Sequence, residues 1–126
     1  MKTAHDLVNA ARSQIQEVAL DAAPDAVRAA DVLIDVRESD EYMAGHLPGA
    51  IHIPRGLLEF RVSADPALQS RDLSIVLYCK TSGRAALSAL ALQSMGYLKV
   101  LSIAGGFDAW VAAGLPVTRP TEVSFD

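Results

Sequence analysis

Apolar residues arrive along this chain in short blocks separated by charges and turn formers, and the spacing inside each block predicts an element. Leu7, Val8, Ala11 and Ile15 recur at three- and four-residue steps, the pattern of a short amphipathic helix. A short strand is expected at residues 18–20 and a second helix at 22–30, with Pro24 and Asp25 in its first turn. Residues 31–36 form an apolar, partly β-branched run bounded by charge, which predicts a buried strand. A single helical turn follows over 39–44, with Ser39 or Asp40 as its cap. Gly45 to Ala50 is turn chemistry, and 51–53 is a brief strand stopped by Pro54. Residues 56–62 are weakly helical, and a loop containing Pro66 leads to Arg71.

The two clearest elements come next. Residues 73–78, Leu-Ser-Ile-Val-Leu-Tyr, predict a central strand, and the Ala- and Leu-rich stretch 84–95, closed by Gly96, predicts a helix. A further strand is expected at 100–103. Gly105-Gly106 then opens a last helix through Trp110 that Gly114 and Pro116 end. Short apolar strands alternating with helices indicate an α/β fold: a mainly parallel sheet covered by helices on both faces.

Length changes this picture little. The 126 residues fit one domain, 1–126, with an N-terminal helical extension at 1–15 and a loosely ordered tail at 120–126. Charge excludes more. With 11 basic against 15 acidic side chains and a net charge of −4, the chain lacks the basic face that nucleic acid demands. A small anionic substrate needs only a locally positive pocket and stays open. Asp6, Asn9, Arg12, Gln14, Gln16 and Glu17 interrupt the N-terminal segment, so neither a signal peptide, a membrane span nor a membrane partner is expected. The one cysteine excludes an internal disulfide. His5, His46 and His52 are too far from it and from one another for a structural zinc site. No metal or cofactor is called for, and a cytoplasmic, reducing compartment is the expectation.

Chemistry concentrates in Cys79-Lys80-Thr81-Ser82-Gly83-Arg84. A buried strand ends, the cysteine follows at once, four residues turn, and Arg84 opens a helix. Ligands of open α/β sheets bind at the carboxyl ends of strands. The helix behind the loop aims unpaired N–H groups and its positive dipole end at the same spot. Gly83 is expected to supply the unusual backbone angles that turn the loop amides inward. Positive surroundings favour a thiolate on Cys79, and the same amides would hold the anionic outer sulfur of a persulfide. That reading requires a solvent-facing thiol. Lys80 and Arg84 add charge for an anionic donor, with Arg84 able to offer two parallel hydrogen bonds. Against this stand an inert buried cysteine, a merely solvated Lys80 and an Arg84 paired structurally with a carboxylate.

Four segments, taken together, resemble the rhodanese family. They are residues 33–37, Leu-Ile-Asp-Val-Arg; residues 45–54, Gly-His-Leu-Pro-Gly-Ala-Ile-His-Ile-Pro; the loop 79–84; and residues 105–110, Gly-Gly-Phe-Asp-Ala-Trp. The resemblance spans roughly Val18 to Pro116. It implies a rhodanese-like three-layer sandwich with a five-stranded sheet and Cys79 in the active loop. It also implies a persulfide cycle in which Cys79 takes sulfur from a donor such as thiosulfate and passes it to cyanide, a thiol or a protein acceptor. Lys80, Thr81, Ser82, Gly83 and Arg84 would then contact substrate. Asp35 and Arg37 would support the loops around the site, with an Arg37–Glu41 ion pair plausible at that spacing. His46 and His52 suit turn-stabilising hydrogen bonds, Trp110 suits the core, and Gly105-Gly106 suits a tight turn.

Two other readings remain open. Related phosphatase loops separate Cys from Arg by five residues where this chain has four, and no acid stands beside the loop in sequence, although Asp35 is able to approach in space. A non-enzymatic docking or sulfur-carrier module is the second alternative. The N-terminal stripe either packs on the parent sheet or binds a partner.

Overall fold

A computed structural model describes residues 1–120. Five strands form one sheet: β1 (Gln16–Val18), β2 (Val32–Asp35), β3 (Ile51–His52), β4 (Ser74–Tyr78) and β5 (Lys99–Ile103). Their order is β1-β5-β4-β2-β3, and every neighbouring pair is parallel. Six helices connect them: α1 (Ala4–Arg12), α2 (Ala23–Ala29), α3 (Ser39–Ala44), α4 (Leu58–Ala64), α5 (Gly83–Ser94) and α6 (Gly106–Ala112).

The apolar runs of the central strands feed two cores at once, because successive side chains leave a strand on opposite faces. Along β4, Ile75 and Leu77 join Ile34, Val36, Leu58 and Leu92 on the side of α4 and α5. Val76 and Tyr78 join Leu33, Leu47, Ile103 and Trp110 on the side of α2 and α6. Burying both faces is what removes the polar–apolar alternation from these segments.

Several boundaries differ from expectation. The first strand lies at Gln16–Val18, and Leu20–Ala22 is a 3₁₀ turn leading into α2. The cap of α3 is Glu38, whose backbone N–H donates to Glu41 Oε1 at 3.0 Å, and not Ser39 or Asp40. Helix α5 begins at Gly83, one residue before Arg84. Gly83 is absent from the glycines with positive φ, so the left-handed backbone expected there is not found. In the N-terminal extension α1 packs on α5, and Ile15 packs against the core cluster that holds the strand residues Ile34, Ile75 and Leu77. Ala11 is buried, while Leu7 of the same stripe is exposed. Apart from Pro120, the tail expected to be loose lies outside the described residues.

Candidate active site

The carboxyl end of β4 delivers Cys79 to the centre of the sheet edge, and α5 starts four residues later. What shapes the intervening loop is the start of α6. Phe107 N–H donates to the Cys79 carbonyl at 2.8 Å and Asp108 N–H to the Lys80 carbonyl at 3.0 Å. Gly106, at φ +58°, sits against this ladder. A Cβ there would press on the carbonyl oxygens of Cys79 and Thr81 and lie 2.9 Å from that of Lys80. Three consecutive loop carbonyls therefore converge on one glycine. In a trans peptide the C=O and the following N–H point opposite ways, so the amides of Lys80, Thr81 and Ser82 face away from Gly106. Amides 80–84 donate to no protein acceptor among the described residues. Backbone donors without partners at a helix start are what an anion seeks.

The Gly105-Gly106 pair thus does more than make the tight turn the sequence suggested. It is the platform on which the loop rests, and the need for glycine comes from the approach of backbone oxygens and the left-handed angles.

Cys79 itself is 1% exposed and belongs to the buried cluster with Val36 and Ala85. The solvent-facing thiol expected from the sequence is not what the structure holds. The cysteine sits at the floor of the loop, closed over.

Both charged side chains of the loop are already partnered. Arg84 extends its fork to Glu41 on α3, Nη1 to Oε1 at 2.6 Å and Nη2 to Oε2 at 3.0 Å. This pairing holds the Glu41 carboxyl well below its usual range, at about 2, with the Arg84 hydrogen bond as the largest cause. Lys80 Nζ meets Asp108 Oδ2 on α6 at 2.7 Å, in an exposed pair. The Arg37–Glu41 pair expected from spacing does not form, because each group has a better partner. Arg37 turns inward and Glu41 faces the loop.

Asp35 and Arg37 are brought together as expected, deep in the fold. Asp35 is fully buried and Arg37 nearly so. Arg37 donates from Nη2 to Asp35 Oδ2 at 2.8 Å and to the Gly45 carbonyl at 2.6 Å, with its guanidinium 4.1 Å from the Phe107 ring centre. Tyr78 Oη donates to Asp35 Oδ2 at 2.7 Å and accepts from Leu47 N–H at 3.0 Å. Burial pushes the Tyr78 hydroxyl far above its ordinary value, so it stays a donor. Asp35 is sealed inside this network and does not approach the loop as an acid. The acids that do stand beside the loop are Glu41 and Asp108. His46 and His52 bond the backbone carbonyls of Tyr42 and Arg37 and stack on the Tyr42 ring, and Trp110 lies in the core.

Beside the loop lies a cavity of about 350 Å³ lined by the charged Arg37, Glu41, Lys80, Asp108 and Arg119 and by the apolar Phe107, Val111 and Val117. Cys79 is not among its lining residues. Sequence reasoning missed Glu41 as the partner of Arg84, Asp108 as the partner of Lys80, and Gly106 as the platform. Glu41 and Asp108 lie 43 and 28 residues from the loop groups they hold, and no local pattern announces such pairs.

Comparison with known proteins places this geometry. The family model for a rhodanese-like domain matches residues 18–113. A sulfurtransferase of Allochromatium vinosum is 34% identical over 89 residues, covering 71% of this chain and 79% of that protein. The thiosulfate sulfurtransferase GlpE of Pseudomonas fluorescens is 31% identical over 94 residues, covering 74% and 77%. In three other curated relatives the matched segment covers 52%, 47% and 59% of their length. A solved structure from Rhodopseudomonas palustris, of a protein of unknown function described as a possible tyrosine phosphatase, superposes with a TM-score of 0.85. It shares 31% identity and covers 94% of this chain and 96% of that one.

Proposed function

The chain belongs to the rhodanese-like family, and we propose that it is a sulfurtransferase carrying sulfane sulfur as a persulfide on Cys79. The observation that carries this is the loop itself: a cysteine at its floor and five successive amides without protein acceptors among the described residues. Such a nest suits one anionic sulfur atom, as an oxyanion hole suits oxygen. Thr81, Ser82 and Gly83 supply backbone donors, and Lys80 and Arg84 supply charge around them. Asp35 and Arg37 act at one remove, fixing the 45–47 turn and the Phe107 ring against which the site is built.

In the loading step the Cys79 thiolate attacks the outer sulfur of the donor. With thiosulfate the S–S bond breaks and sulfite leaves with the electron pair. With an organic persulfide the departing group is a thiolate. In the second step an acceptor nucleophile, cyanide or a thiol, attacks the outer sulfur of the Cys79 persulfide and restores the thiolate. No cofactor enters either step. Burial of Cys79 runs against the solvent-facing thiol that the sequence reading requires, so the proposal rests on the family match and the loop amides and includes an opening of the loop before a donor's outer sulfur meets Sγ. A lone thiol of this kind works in a reducing compartment such as the cytoplasm.

The phosphatase alternative fares worse on the same geometry. Four residues separate Cys79 from Arg84, which leaves a smaller ring than a tetrahedral phosphoryl group with in-line attack requires. The acids beside the loop, Glu41 and Asp108, are tied to Arg84 and Lys80. Incubation with thiosulfate followed by intact mass measurement tests the reading. One added sulfur is expected, absent in Cys79→Ser, together with thiocyanate on addition of cyanide. Turnover that survives Cys79→Ser, or hydrolysis of an aryl phosphate in place of sulfur loading, overturns it.

A further inference from the structure

The two ion pairs around the loop change what the loop can attract. Lys80 and Arg84 carry two positive charges, and Asp108 and Glu41 cancel both at contact distance. Arg84 is not merely neutralised. Both Nη groups of its fork, the geometry best suited to a second anion, are already engaged by Glu41. Glu41 is held in place from its own side as well, because its Oε1 also accepts the Glu38 N–H that starts α3. Glu38 adds a further negative charge within reach of Arg84. Arg37, a further cation close by, is paired with Asp35, and Arg119 also lines the cavity. A free dianion approaching Cys79 therefore finds Lys80 and the Nη end of the Arg84 fork already held by carboxylates. A donor held through its organic body does not depend on that fork, and the cavity beside the loop offers it the apolar walls of Phe107, Val111 and Val117.

Resting on the persulfide reading above, we infer that Glu41 is a specificity-determining residue: by occupying the Arg84 fork it biases loading of Cys79 away from thiosulfate and towards small organic persulfides. Glu41 touches no reacting atom. It acts through Arg84.

The test compares second-order rate constants for loading Cys79 by thiosulfate and by cysteine persulfide, read by mass, in the parent protein and in Glu41→Gln. Glutamine keeps an oxygen for the Glu38 N–H but gives up the charge. The thiosulfate-to-persulfide ratio is expected to rise about tenfold in Glu41→Gln, as removal of a like charge from a binding mouth does. Glu59→Gln, which removes a carboxylate paired with Arg55 away from the loop, controls for overall charge. A ratio unchanged or lowered in Glu41→Gln, or raised equally in Glu59→Gln, overturns the inference. Should neither donor load Cys79 in the parent protein, the sulfurtransferase reading fails first, and the inference with it.

Discussion

Two sets of ion pairs lie at the same edge of the sheet, and they differ in depth. The inner set, Asp35 with Arg37 and Tyr78, is sealed from water and every member has more than one partner. The outer set, Glu41 with Arg84 and Lys80 with Asp108, is a quarter to three-fifths exposed. Depth decides what each is good for. A buried pair that loses one member leaves an unpaired charge in a low dielectric, so the inner set behaves as architecture. An exposed pair contributes little to the fold, so the outer set is free to serve selectivity at the site.

Matched truncations break or sharpen that contrast. Arg37→Ala should destabilise the fold by ~3–5 kcal/mol in urea unfolding, since it strands the Asp35 carboxylate inside the core. Arg84→Ala should cost no more than ~1 kcal/mol on the same measurement. If the two lost equal stability, depth would not be the distinguishing variable. The measurement also separates the roles. The Arg37 variant should lose activity by losing structure. Arg84→Ala should stay folded while thiosulfate loading weakens.

A smaller effect is expected at the platform. Gly106→Ala places a methyl group against three carbonyl oxygens at a positive φ, and should cost on the order of 2 kcal/mol in unfolding free energy, the scale of a strained backbone position. Because the strain falls on the loop, sulfur loading should drop more steeply than stability. Normal loading in that variant would mean that the carbonyl ladder does not shape the nest.

These expectations show where sequence reading reached and where it stopped. The strand at Ser74–Tyr78 and the helix at Gly83–Ser94 were legible because an unbroken apolar run and an Ala- and Leu-rich stretch leave few alternatives. The loop between them was legible for the same reason: its ends were fixed by elements, so Cys79 had to emerge at the carboxyl edge. The partners of the loop were not. Spacing alone pairs Glu41 with Arg37, four residues away, and only the inward turn of Arg37 towards Asp35 and Gly45 leaves it for Arg84. Burial of Cys79 was likewise invisible, because it depends on how tightly α6 draws the loop inward through Phe107 and Asp108. Gly83 was credited with backbone freedom that Gly106 turns out to use, since a motif identifies glycines without saying which one meets the neighbouring carbonyls.

The smallest effect concerns acid. Glu41 carries a carboxyl lowered from the ordinary 4.5 to about 2 in the folded protein, chiefly by Arg84. A group whose folded value lies below its unfolded one stabilises the fold at pH above the unfolded value, and that contribution disappears as pH falls through the folded one. The window is therefore pH 4.5 down to about 2. Because a quarter of Glu41 and a third of Arg84 remain exposed, solvent screening reduces the contribution to about 1 kcal/mol. Unfolding free energy measured across that window should fall less in Glu41→Gln than in the parent protein, with the two curves converging towards its acid end. Added salt should shrink the gap between them, as it does for a partly exposed pair. Parallel curves would mean that the fork between α3 and the loop contributes nothing at equilibrium. The outer set would then be passive decoration around the site, and not its adjustable part.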